Sequence, residues 1–171
     1  LKHTGSKVGK SICKNNFGPL IKEILDISKK FNCKITCPID AVVSKNIEGV
    51  GENKDIKEIN DDEMILDIGP KTISLIKKII NDSNTVLWNG PAGYFENPNF
   101  QTGTKEILEI ISQKTSSDKI FSVAGGGETV AAINKFNKLD SFTFVSTAGG
   151  AFLEYLEGKT LPGIKALNQN V

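Results

Sequence analysis

Two stretches of the sequence pass from an apolar run into a cluster of small residues, and this pattern constrains the fold more than any other feature. They are Trp88–Glu96 (WNGPAGYFE) and Phe121–Thr129 (FSVAGGGET). Such a run is typical of a buried parallel strand that opens into a loop lying close to a ligand. In open α/β sheets, ligands bind beyond the carboxyl ends of the strands. The sequence therefore predicts an α/β fold with a binding site at one edge of its sheet.

The second stretch places three glycines, Gly125, Gly126 and Gly127, directly before helix-compatible residues. The first N–H groups of a helix have no partner inside the helix, and the helix dipole favours negative charge at this end. Helix starts of this kind bind phosphates. Taken alone, the glycines fit a tight turn equally well. Two further small-residue exits, Asn89–Gly93 and Thr147–Gly150, favour an extended phosphorylated ligand lying along the same sheet edge.

Helices and short strands alternate along the rest of the chain. Apolar residues recur at helical spacing after Gly18-Pro19, and Pro70 stands where a helix can begin. Strands separated by helices of about 10–15 residues favour a doubly wound, mostly parallel sheet. The polar segment 44–62 is interpreted as a surface loop or small hairpin, and the tail from Leu161 as extended. Strands are predicted at Cys33–Val43, with an interruption at Pro38, and at Thr85–Trp88, Lys119–Ala124 and Phe142–Val145. Further helices are predicted after Thr102 or Thr104, after Gly127, and from Gly150 to near Gly158.

Composition weighs against several classes of partner. The formal net charge is +1 over 171 residues and the lysines are scattered among acidic residues, so there is no electrostatic case for nucleic acid or a membrane. No apolar run approaches the ~20 residues of a membrane span. The odd count of 3 cysteines suits a reducing compartment. We expect Cys33 and Cys37 to be buried structural thiols, because a closed zinc site needs four ligands and His3 is the only histidine.

Two familiar phosphate-binding patterns are incomplete in this sequence. Thr4–Ser11 ends like a P-loop, but threonine stands at position 4, where the pattern requires glycine. The Gly125 cluster lacks the last glycine of a dinucleotide fingerprint, because Val130 occupies that position. Neither pattern identifies the ligand.

Two acidic residues are candidates for ligand contacts. Glu96 ends the first stretch, where a carboxylate can accept both hydroxyls of a ribose; the alternative is a solvated loop acid. Glu128 falls in the first turn of the predicted helix. There a carboxylate can hold Mg²⁺ beside phosphates, directly or through water, or can merely stabilise the helix dipole.

Five motifs in order resemble those of one enzyme family. Trp88–Glu96 and Gly125–Thr129 are similar to the tryptophan-asparagine-glycine-proline segment and the glycine-rich phosphate loop of phosphoglycerate kinases. Pro38–Asp40, Asp67–Thr72 and Val145–Gly163 fit the same family in the same order. The resemblance covers essentially the whole chain.

The resemblance implies a two-domain enzyme more than twice as long, of which this chain would supply most of the nucleotide-binding half. The implied reaction is reversible phosphoryl transfer from 1,3-bisphosphoglycerate to MgADP, giving 3-phosphoglycerate and ATP in glycolysis. Residues 1–160 would form a nucleotide-binding domain lacking its first strands, and the tail 161–171 would pack on the missing amino-terminal domain, which binds the phosphoglycerate. The implied enzyme is monomeric and cytoplasmic, uses ATP/ADP and Mg²⁺, and is inactive as this chain alone. The alternative is a non-catalytic nucleotide-binding module.

The resemblance also implies roles for individual residues. Glu96 is expected to bind the ribose, and Glu128 the Mg²⁺. Glu128 stands where the family usually has aspartate, and Ala148 where it has glycine. The nucleotide would lie against Asn89, Gly90 and Pro91, its phosphates on Gly125, Gly126, Gly127 and Thr129, and the transferring group near Gly126, Gly149 and Gly150.

Overall fold

The computed structural model describes residues 1–13 and 17–168 and separates the chain into two compact units. Unit 1 comprises Leu1–Leu75 and Ala92–Gly103, and unit 2 comprises Ile76–Pro91 and Thr104–Val171. Within the described residues each unit carries a three-stranded sheet. The sheet of unit 1 is antiparallel and that of unit 2 is parallel, so the chain is α/β as predicted.

The antiparallel sheet of unit 1 has the strand order β2-β1-β3. Segment 44–62, predicted as a surface loop or small hairpin, contains β2, which forms a hairpin with β1. Ala41 and Val43 of the central strand pack with Ile56 and Ile59 in a buried apolar cluster. The strands are β1 (Asp40–Ser44), β2 (Glu52–Asp55) and β3 (Met64–Ile68).

Two helices begin in unit 1 at the predicted proline positions. None of the residues of α1 (Gly18–Lys30) is buried. The start of α2 (Pro70–Asn81) is held by Asp40, whose carboxylate accepts the N–H groups of Lys71 and Thr72, each at 2.8 Å, and the Thr72 hydroxyl at 2.6 Å. Burial opposes ionisation of Asp40, but these bonds outweigh it and hold the pKa below its ordinary value.

The parallel sheet of unit 2 has the order β4-β5-β6 and confirms the predicted parallel pairing. Trp88 pairs with Ala124, and Ala124 pairs with Val145, so the carboxyl ends of the three strands meet at one edge. Trp88 also stacks on Phe142, with ring centroids 6.0 Å apart. The strands are β4 (Thr85–Trp88), β5 (Phe121–Ala124) and β6 (Phe144–Val145). The remaining helices are α3 (Thr102–Ser116), α4 (Gly127–Lys135), α5 (Gly150–Leu156) and α6 (Pro162–Asn168), with short 3₁₀ turns at Lys2–Thr4, Ile56–Glu58, Pro98–Phe100 and Leu139–Ser141.

Several predictions about individual segments are wrong. The strand expected from Cys33 begins only at Asp40, because Pro38 has no N–H for a sheet ladder. Cys33 and Cys37 are exposed rather than buried, since the segment that carries them lies outside β1. The tail after Leu161 is helical over Pro162–Asn168, because proline suits the first position of a helix; residues 169–171 lie outside the described part.

Within the described ranges, no helix has both the length and the apolar character that a bilayer crossing requires.

Candidate functional site

The loop between β5 and α4 of unit 2 carries the three predicted glycines. Gly126 has φ +91°, a conformation that residues with a Cβ rarely adopt. A methyl group built there would press on the side-chain oxygen of Asn89, just after β4. A methyl group at Gly125 would overlap the ring of Phe152 in α5. The loop therefore needs glycine both for its backbone shape and for its close contacts with the neighbouring strand exits.

In the described part of the chain, the first N–H groups of α4 have no acceptor. Val130 is the first residue of this helix whose N–H bonds back to the loop, to the Gly126 carbonyl at 3.0 Å. Over residues 1–13 and 17–168, no acceptor is found for the N–H groups of Gly127, Glu128 and Thr129. A methyl group built at Gly127 would meet open space, so the helix start is accessible. An accessible helix N-terminus of this kind can bind a phosphate or carboxylate.

The side chain of Thr129 links this loop to the exit of β4. Thr129 is 1% exposed, and its Oγ1 accepts the N–H of Gly90 at 2.6 Å. A hydroxyl that accepts one hydrogen bond still has its own hydrogen to donate. The structure thus brings Asn89 and Gly90 together with the glycine loop, while Pro91 follows them in the same unit.

The third exit follows β6 and contains the predicted Gly149 and Gly150. The N–H of Ser146 donates to the carbonyl of Ala124 at 2.8 Å, which continues the β5–β6 pairing up to this exit. Gly149 has φ +56° and precedes α5, and a methyl group at either glycine would meet nothing within 4 Å. These two residues therefore lie at the same edge of the parallel sheet as Gly126.

The two predicted carboxylates lie in different units and are both exposed. Glu128 is in the first turn of α4, beside the unpaired N–H groups. Glu96 belongs to unit 1 and lies in a turn that the N–H of Asn97 closes by donating to the Tyr94 carbonyl at 3.1 Å. Among the described residues there is no group of three or more His, Cys, Asp and Glu that could hold a metal. The single carboxylate of Glu128 fits Mg²⁺, which is usually held by one or two carboxylates together with substrate phosphates and water.

Asp67 is marked in the sequence only as the first residue of the motif Asp67–Thr72. Its buried carboxylate contacts the loop that carries Glu96. Asp67 in β3 is 1% exposed; its Oδ2 accepts the N–H of Gly103 at 2.7 Å and its Oδ1 that of Ile68 at 2.8 Å. Burial raises the pKa of Asp67 to about 6, although the N–H bonds from Gly103, Ile68 and Thr102 favour ionisation. The sequence feature that could have pointed to this buried carboxylate is an acidic residue within the apolar run Met64–Ile68.

Comparison with known proteins gives one consistent family. The sequence model of the family described as phosphoglycerate kinase matches residues 1–159. A phosphoglycerate kinase from Rhodopseudomonas palustris is 46% identical over 165 residues, which make up 95% of this chain and 42% of that protein. One from Xanthobacter autotrophicus is 44% identical over 167 residues, 96% of this chain and 42% of that protein.

Solved structures share the fold. The phosphoglycerate kinase of Coxiella burnetii matches with a TM-score of 0.90 and 37% identity, over 99% of this chain and 43% of that one. That of Pyrococcus horikoshii matches with a TM-score of 0.73 and 29% identity, over 98% of this chain and 42% of that one. The chain therefore spans less than half the length of these relatives. On the match over residues 1–159 and the shared fold, the chain belongs to the phosphoglycerate kinase family.

Proposed function

We propose that this chain is the nucleotide-binding part of a phosphoglycerate kinase and binds ADP or ATP with Mg²⁺. The observation that carries the proposal is the start of α4, where a glycine loop leads into three N–H groups without an acceptor in the described residues. From family membership we infer the reaction, reversible phosphoryl transfer from 1,3-bisphosphoglycerate to MgADP to give 3-phosphoglycerate and ATP. The relatives are more than twice as long, and we assign the phosphoglycerate-binding groups to polypeptide outside these 171 residues.

The phosphates of the nucleotide fit the loop between β5 and α4. The N–H groups of Gly127, Glu128 and Thr129 are available as donors, and the helix dipole adds partial positive charge at the same place. The Thr129 hydroxyl can donate to a phosphate oxygen while it accepts the N–H of Gly90. Gly125 and Gly126 complete the proposed phosphate-binding loop, since neither can carry a side chain without a steric overlap.

The remaining roles follow the family assignment. Glu128 would hold Mg²⁺, which when bound neutralises charge on the phosphates. Glu96 would accept the two ribose hydroxyls, and the segment Asn89–Pro91 would flank the nucleotide. Gly149 and Gly150 would lie beside the transferring phosphoryl group. Such transfer depends on positioning and electrostatic stabilisation, with little covalent chemistry for the protein to perform.

We further assign residues 1–160 to the nucleotide-binding domain of a monomeric cytoplasmic enzyme. The tail from position 161, which begins with α6, would then contact the amino-terminal domain. The net charge of +1 and the scattering of lysines among acidic residues give no electrostatic case for nucleic acid.

Calorimetric titration of the chain with MgADP tests the proposal. Gly126→Ala should weaken binding at least tenfold, because the new methyl group strains φ +91° and presses on Asn89. Gly158→Ala is the matched control: Gly158 has φ +79° and open space, so it introduces similar backbone strain away from the loop. Equal affinities of the two variants, or no binding of MgADP by the unmodified chain, would refute the assignment.

An activity assay distinguishes the kinase from a non-catalytic nucleotide-binding module. The chain is mixed with a separately produced amino-terminal domain of a relative, and phosphoglycerate-dependent ATP consumption is followed. We expect no activity from the chain alone and measurable activity from the mixture. Nucleotide binding without recovery of activity would favour the module.

A further inference from the structure

The loop that carries Glu96 is fastened to the rest of unit 1 on both sides of its turn. On the amino-terminal side, the N–H of Tyr94 donates to the Leu66 carbonyl of β3 at 2.7 Å. On the carboxyl-terminal side, the side-chain amide of Asn97 donates to the Ile47 carbonyl at 2.7 Å. Phe95, between them, is 4% exposed and anchors the turn in the core. Glu96 is therefore an exposed residue on a turn that has little freedom to move.

The carboxylate of Asp67 contacts the segments before and after this turn. A methyl group built on Gly93 would overlap Asp67 Oδ1, so the chain passes directly against that oxygen. The other oxygen accepts the N–H of Gly103, at the start of α3, at 2.7 Å. One buried side chain of β3 thus contacts both Gly93, where the loop passes alongside β3, and Gly103, where α3 begins.

The free energy cost of burying Asp67 argues for more than a structural cap. In the part of the chain that the structure describes, only burial and backbone N–H groups shift the pKa of Asp67, and a buried carboxylate that no cation compensates is costly in free energy. A helix start needs only an exposed serine, threonine, aspartate or asparagine as its cap. Costly buried groups of this kind cluster at functional sites.

We propose that Asp67 is a positioning residue for Glu96, holding the 93–97 turn against the start of α3 so that the Glu96 carboxylate is presented to the ribose hydroxyls. The inference rests on the function proposed above for Glu96. Asp67 itself does not touch the ligand. Its effect is transmitted through Gly93 and the turn.

The test compares MgADP with Mg-2′,3′-dideoxy-ADP, which lacks both ribose hydroxyls, by calorimetric titration of the full chain. The unmodified chain should prefer ADP by about tenfold, as expected for a charge-assisted hydrogen bond. Glu96→Gln should reduce this preference, and Asp67→Asn should reduce it to a similar ratio while leaving the affinity for the dideoxy compound unchanged. Asp67→Asn added to Glu96→Gln should have no further effect on the ratio.

Asp40→Asn is the matched control, because Asp40 is also a buried carboxylate of unit 1 that holds a helix start, but its bonds go to α2. Its preference for ADP should equal that of the unmodified chain. Gly93→Ala provides a second variant that displaces the turn from Asp67 without removing the carboxylate, and it should also lose the preference. If Asp67→Asn does not fold, the ADP preference of Gly93→Ala tests the positioning role instead.

The outcomes distinguish the proposed ribose role of Glu96 from the positioning role of Asp67. If Glu96→Gln removes the preference but Asp67→Asn and Gly93→Ala keep it, the positioning role is refuted and the ribose role of Glu96 stands. If Asp67→Asn lowers the affinity for both compounds equally, Asp67 is only structural. If the unmodified chain shows no preference for ADP, the ribose role of Glu96 and the positioning role both fail.

Discussion

The free energy of unfolding of this chain should change with pH through Asp67, and in the direction opposite to that of most carboxylates. Burial raises the pKa of Asp67 from 3.8 to about 6 in the native state. Between these two values the native state holds the proton more tightly than the unfolded state does. The contribution of Asp67 to the free energy of unfolding therefore falls as pH rises from about 4 to about 6. A shift of about 2 pKa units, at about 1.4 kcal/mol each, gives a change of roughly 3 kcal/mol.

Asp67→Asn isolates this contribution, because it removes the titrating group while nearly keeping the shape of the side chain. Urea unfolding of both proteins is followed by far-ultraviolet circular dichroism at intervals between about pH 4 and pH 7. The stability of the unmodified chain relative to the variant should be roughly 3 kcal/mol greater at the acidic end. In nuclear magnetic resonance spectra, the amide proton of Gly103, which donates to Asp67 Oδ2, should titrate with a midpoint at about 6.

Asp40→Asn supplies a control of opposite sign. The pKa of Asp40 is lowered in the native state, so its stabilising contribution is present at neutral pH and is lost as pH falls through that lowered pKa. A Gly103 amide that titrates near the ordinary carboxyl pKa would refute the argument. So would a pH dependence that is identical in the unmodified chain and in Asp67→Asn.

Three further substitutions test individual contacts. Ser112→Ala should stabilise the chain by about 1 kcal/mol in thermal unfolding, because the Ser112 hydroxyl is buried and has no hydrogen-bond partner in the described residues; a clear loss of stability would contradict this. Gly125→Ala should destabilise the chain by about 1–3 kcal/mol, because the new methyl group overlaps the ring of Phe152. A double-mutant cycle should show a smaller loss of stability from Gly125→Ala in a Phe152→Leu background. In a complete enzyme, Glu128→Ala should lower turnover more than nucleotide affinity, and unchanged turnover in steady-state kinetics would remove its metal role.

The parallel half of the fold could be predicted because its signals are local. The apolar runs ending at Trp88 and Ala124 are parallel strands that lead into small residues, and both strands end where predicted. They are not buried throughout, since Leu87 and Phe121 are exposed. Pro70 likewise marks the first residue of α2. In these segments the residues that determine the structure lie next to one another in the sequence, so periodicity and turn chemistry are sufficient.

The rest depends on contacts between distant residues. No local pattern states that β1 pairs in an antiparallel sheet, since an apolar run fits either strand direction. Leu161-Pro162-Gly163 predicts an extended tail, yet Pro162 begins a helix. The role of Asp67 is the clearest case, because its carboxylate binds an N–H that lies 36 residues further along the chain. Such a bond can be described only after the fold is known.

The hydrogen bond between the Thr129 hydroxyl and the Gly90 amide has a thermodynamic consequence for any ligand that spans the two exits. Hydrogen bonds that share a hydroxyl polarise and strengthen one another. A phosphate that accepts a hydrogen bond from the Thr129 hydroxyl would therefore strengthen the hydrogen bond that the Gly90 N–H donates to the same oxygen. It would also order the segment against which the nucleoside is proposed to lie. Pyrophosphate and adenosine added together should accordingly bind with positive cooperativity, each raising the affinity for the other by the same factor.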